Sequence, residues 1–165
     1  MSTSTPMQLF VGLSSMLTGI DAAKLAPPLD PNNVKQVYFD TAKSKGGATF
    51  DQLLQIYAAN QTQPPAQIAA AVFQQSGADV CFLARAIMLA WYLGSWYEPG
   101  DLQKYSGSNP PAAPIPSTVI SADAYTQGWA WSVAQAHPMG YSNFTFGYWA
   151  AKPPSLSDFV QGEQA

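Results

Sequence analysis

The stretch Asp79-Val-Cys-Phe-Leu-Ala-Arg-Ala-Ile-Met-Leu-Ala-Trp-Tyr-Leu-Gly94 decides the fold of this chain. Spaced at 3.6 residues per turn, Phe82, Leu83, Ala86, Ile87, Leu89, Ala90 and Leu93 cover most of a helix circumference. A helix apolar nearly all round belongs at the centre of a fold, so residues 79–93 predict a buried helix on which the others pack. Gly94 is placed to end it. Cys81, the only cysteine, lies in its apolar first half and reads as a core thiol behaving as a small hydrophobe. Arg85, one turn on, leaves open a more reactive thiol.

Working toward the N-terminus, the same periodicity recurs. Leu9, Phe10, Leu13, Met16 and Leu17 predict a helix over 7–18, closed by Gly19. Asp30 is the expected N-cap and Pro31 the first turn of a second helix, with Val34, Val37 and Tyr38 as its apolar stripe and Gly46-Gly47 as its end. Thr49 is the expected cap of a third helix carrying Leu53, Leu54, Ile56 and Tyr57. Pro64-Pro65 opens an alanine-rich fourth helix that stops near Gly77.

Beyond Gly94 the character changes. Residues 96–116 are rich in Pro, Gly, Ser and Asn and read as loop. One more helix is expected from Ser121 to about Ala136, with Tyr125, Trp129, Val133 and Ala136 near one face. All 5 tryptophans follow residue 90, and from His137 to Ser157 the only charge is Lys152, among Tyr141, Phe144, Phe146, Tyr148 and Trp149. Disordered tails are normally polar and charged, so this aromatic stretch is expected to lie on a surface of its own domain, of another chain, or of both. The expected architecture is all-α, an irregular bundle of about six helices with a long Pro/Gly-rich loop and an extended aromatic C-terminal tail. It forms a single domain: helical core 7–94, loop 95–120, helix 121–136 and tail 137–165.

Composition narrows the function. Charged residues make up 10% of the chain and aromatics 13%. Typical soluble domains are roughly 25% charged, and aromatics dominate the centres of interfaces. A surface partly covered by a partner accounts for both, as does a large, well-filled core. The net charge is -3 and the basic residues are scattered, so no patch suits a phosphate backbone. No apolar run approaches the roughly 20 residues of a membrane span. The first six residues show no basic n-region and no apolar run behind it, which predicts no signal peptide.

No catalytic constellation emerges. His137, the only histidine, has no serine or carboxylate pattern around it and precedes Pro138, which places it in extended chain. Asp30, Asp51 and Asp79 stand at or near helix starts, where carboxylates satisfy free amides. Glu98 and Asp101 share a loop but fall short of a calcium-loop ligand set. Gly46-Gly47 fits neither the dinucleotide nor the Walker pattern. The chain is therefore expected to be non-catalytic and to hold neither metal nor cofactor.

Three segments together resemble a known family. Phe10-Val-Gly-Leu-Ser-Ser-Met-Leu-Thr-Gly19 resembles the start of the mature small (gamma) subunit of bacterial membrane-bound flavin sugar dehydrogenases, the glucose, sorbitol and fructose dehydrogenase small subunits. Ile87-Met-Leu-Ala-Trp-Tyr-Leu-Gly94 resembles that family's ILxAWYLG helix end, and Gly147-Tyr-Trp-Ala-Ala-Lys-Pro153 its closing GFWADKP. They occur in the family's order and span most of the chain.

The resemblance implies a helical accessory subunit without a cofactor, which binds and stabilises a large FAD-dependent catalytic subunit of the glucose–methanol–choline type and helps export it. A c-type cytochrome subunit often completes such complexes. Some members bond the partner through a cysteine before the closing motif; Ser142 stands there, so the implied association is non-covalent. No twin-arginine segment lies within these residues. A preceding leader would place the chain in the periplasm or at the membrane through its complex; without one it would be cytoplasmic. The expected partner contacts are Trp91, Tyr92, Trp96, Tyr97, Phe144, Phe146, Tyr148, Trp149 and Pro153, with Trp91 and Tyr92 equally compatible with a core role. The competing expectations are a small-molecule-binding protein and a stand-alone scaffold of this family without a dehydrogenase.

Overall fold

The computed structural model describes residues 4–106 and 114–138. Within them the chain is an irregular all-α bundle with one very short two-stranded sheet. Helix α1 spans Pro6–Thr18. It starts on a reciprocal cap: the Thr5 hydroxyl accepts from the Gln8 amide, and the Gln8 side chain accepts from the Thr5 amide. A single turn, α2 (Ala22–Leu25), follows, capped by Asp21. Then come α3 (Val34–Gly46), α4 (Ala48–Asn60) and α5 (Pro65–Phe73).

Helix α6, Ala78–Leu93, is the axis of the bundle and packs against α1, α3, α4 and α5. Val80, Leu83, Ala84, Ala86, Ile87, Ala90 and Trp91 are its buried residues. They meet an aromatic cluster in which Phe10 lies 5.5 Å from Phe39 edge-on and 5.9 Å from Phe50, while Tyr38 lies 4.4 Å from Trp91. Each such pair contributes about 0.5–1.5 kcal/mol beyond the area it buries. Cys81 is half-buried on this helix, less enclosed than a core thiol.

The part of the described chain that follows Gly94 caps the end of α6. Strand β1 (Ser95–Trp96) pairs antiparallel with β2 (Thr118–Val119), Ser95 opposite Val119 and Trp96 opposite Thr118. Helix α7 (Pro99–Tyr105) packs on α6, and so do α8 (Ala122–Thr126) and α9 (Trp129–Val133). Gly94 makes this docking possible. Its φ is +62°, and a Cβ there would lie 2.3 Å from the Ala124 carbonyl oxygen.

Several expectations are corrected in detail. Residues 95–120 are not one loop, because β1, α7 and β2 fall within them. The helix expected over 121–136 is two short helices. In a continuous helix the Ala124 and Tyr125 carbonyls would serve amides four residues on. Here the Tyr38 hydroxyl donates to Ala124 O at 3.1 Å and the Trp131 indole N–H donates to Tyr125 O at 2.7 Å. Asp30 is not the residue next to α3; that position is Asn33, at a φ of +50°. The Asp30 carboxylate nonetheless accepts from the Val34 amide at 3.0 Å, so it satisfies the helix start from a distance. Thr49 lies inside α4 rather than capping it, and its hydroxyl bonds Asp79 at 3.5 Å.

Candidate functional site

The residues expected at a partner interface divide by burial. Trp91 is 2% exposed and Trp96 3%, so both are spent on the chain's own core. Neither indole N–H meets an acceptor among the described residues. Tyr92 is half-buried, and its hydroxyl donates to the Thr18 carbonyl at 2.8 Å, tying the end of α6 to the end of α1. Burial raises its pKa. Tyr97 is half-buried and packs on the core edge. Phe144, Phe146, Tyr148, Trp149, Pro153 and Ser142 lie outside the described residues.

The titratable groups do not converge. His137 is half-buried, with Nδ1 3.1 Å from the Pro138 carbonyl. Glu98 meets Lys45 at 2.7 Å, a surface tie between the end of α3 and the start of α7. The Lys45 hydrogen bond holds the Glu98 carboxyl below the usual range. Partial desolvation opposes it; the nearby Trp96 indole N–H pulls the same way as Lys45 without reaching hydrogen-bond geometry. Asp101, read with Glu98 as part of one loop, lies instead in the first turn of α7. Among the described residues no group of three His, Cys, Asp or Glu side chains is placed to hold a metal ion. No described helix is long and apolar enough to cross a membrane.

Two concavities border α1 and α6, the helices that carry the first two motifs. A pocket of about 80 Å³ opens beside Trp91, between Lys24, Asp30, Gln127 and Trp129. A larger groove of about 480 Å³ runs between α1, α4 and α5. Met16, Pro65 and Ile68 supply its apolar surface, and Tyr57, Gln61 and Gln63 its polar groups. No expectation from sequence placed a site here. Two signals were present: a glycine in mid-helix at Gly12, and a run from 52 to 78 without one charged residue.

Neither a family model, a curated protein nor a solved structure matches this chain.

Proposed function

We propose that this chain is a non-catalytic accessory subunit that binds, stabilises and helps export a large FAD-dependent dehydrogenase of the glucose–methanol–choline type, acting on a sugar or alcohol. The observation that carries the reading is the meeting of two of the three sequence motifs. Phe10 of the first stacks on Trp91 of the second with ring centres 6.3 Å apart. Tyr92 of the second bonds Thr18 of the first. Two segments 77 positions apart in their first residues, Phe10 and Ile87, thus form one structural unit, which is what a shared small-subunit fold requires.

The third motif lies in the aromatic, nearly uncharged stretch 137–157, and that stretch supplies the surface offered to the partner. With Ser142 in place of a cysteine the complex is held by burial alone. The flavin belongs to the partner, and a c-type cytochrome subunit completes the electron path.

Co-expression with the protein encoded by the neighbouring open reading frame, followed by purification through a tag on this chain, tests the reading. The expected product is a complex that carries flavin absorbance and whose subunits stay associated, with or without a thiol reductant, in the absence of denaturant. Recovery of this chain alone, as a stable monomer, would overturn it. Within the complex, Trp149→Ala is expected to weaken association by about thirtyfold or more, the effect of losing an interface aromatic worth about 2 kcal/mol.

A further inference from the structure

We propose that the groove between α1, α4 and α5 is a binding site for an uncharged small molecule with an apolar body and one hydroxyl or carbonyl oxygen. At about 480 Å³ it falls within the size range of small-molecule sites. None of its lining residues is charged. An ionised ligand would lose hydration there and gain no counter-charge, which selects against anions and cations alike. Met16, Pro65 and Ile68 offer apolar contact.

Tyr57 supplies the polar contact. Its hydroxyl makes no hydrogen bond with any described residue, so both its donor and its lone pairs are available to a ligand. Burial raises its pKa, which keeps the phenol neutral and able to donate. Gly12 leaves room for it. A Cβ at Gly12 would stand 2.4 Å from the Tyr57 hydroxyl oxygen, so a larger residue there would push the phenol away from α1. Glycine inside a helix is less favourable than alanine, and α1 carries one at the turn that faces the phenol.

The test uses the full chain carrying isotope-labelled methionine methyls, with the Met16 resonance assigned through Met16→Leu. β-Naphthol is the probe and β-naphthalenesulfonate, with the same rings and a negative charge, its control. The expected result is a saturable shift of the Met16 methyl by β-naphthol, with the sulfonate at least tenfold weaker. Tyr57→Phe should weaken β-naphthol by about threefold to tenfold, the effect of one hydrogen bond, and leave the Tm unchanged because no described residue relies on that hydroxyl. The proposal is overturned by a Met16 methyl that does not respond, by equal affinity for the sulfonate, or by a Tyr57→Phe chain that binds the probe as before. A lowered Tm in Tyr57→Phe also overturns it, since the hydroxyl would then serve the fold. Capture of the flavin partner is read separately and moves with none of these outcomes.

Discussion

Trp91 stands 4.4 Å from the Tyr38 ring and 6.3 Å from Phe10, and it is the largest fully buried side chain on α6. What it contributes is ring volume, because its indole N–H donates to no described residue. Trp91→Phe is therefore expected to cost about 1–2 kcal/mol, as a shape change in a packed core. Trp91→Ala should cost about 3–5 kcal/mol through the cavity it leaves. Urea unfolding of the two variants checks this; equal losses would mean the indole N–H matters more than the ring. Tyr38 answers to pH instead. Burial pushes its phenol well above the ordinary value of 10.0, and Tyr57 and Tyr92 are shifted the same way. The unfolded chain ionises first, so the stability from neutral burial is complete below pH 10.0 and is lost as pH rises through the folded values. A Tm that falls above pH 10, less steeply in Tyr38→Phe, is the expected profile.

At the scale of elements, Gly94 controls whether the C-terminal helices can dock. Gly94→Ala combines a positive φ with a Cβ 2.3 Å from the Ala124 oxygen. The expected loss is about 2–5 kcal/mol, from backbone strain and overpacking together, measured as a lowered Tm with slackened near-UV signal from Trp129 and Trp131. An unchanged Tm would mean that α8 does not sit on α6 as described. The long helices were legible because their apolar residues repeat at 3.6. Val80, Ala84, Ile87 and Trp91 trace one buried line along α6. Helix α7 was not legible, although Pro99 at its first turn is a start signal; the Pro- and Gly-rich surroundings outweighed it. The break between α8 and α9 coincides with a long-range contact, Tyr38 from 86 residues away donating to a helix carbonyl, and with a local one from Trp131. The interface candidates Trp91 and Trp96 show the same difficulty, because composition cannot separate an aromatic that fills a core from one that meets a partner. The groove was not legible in the sequence because its signal is an absence of charge spread over three helices.

For the whole molecule, the deciding quantity is how few charges hold it in solution: 7 basic and 10 acidic residues in 165. A surface so weakly charged gains more than most from being covered, since few ionised groups lose hydration when a partner docks. Exposed apolar groups such as Leu29, 88% exposed beside three prolines, point the same way. If the flavin subunit binds only the folded chain, mass action links binding to stability. At a partner concentration about a hundredfold above Kd the gain is about 2.7 kcal/mol. For a domain of this size that raises the Tm by roughly 5–10 °C. The shift must grow with the logarithm of partner concentration, and the partner's own Tm must rise in return, because the linkage acts on both folded chains. Scanning calorimetry of mixtures at several ratios reads both transitions at once. Two transitions that stay at their separate temperatures at every ratio would remove the partnership, whatever the three motifs resemble.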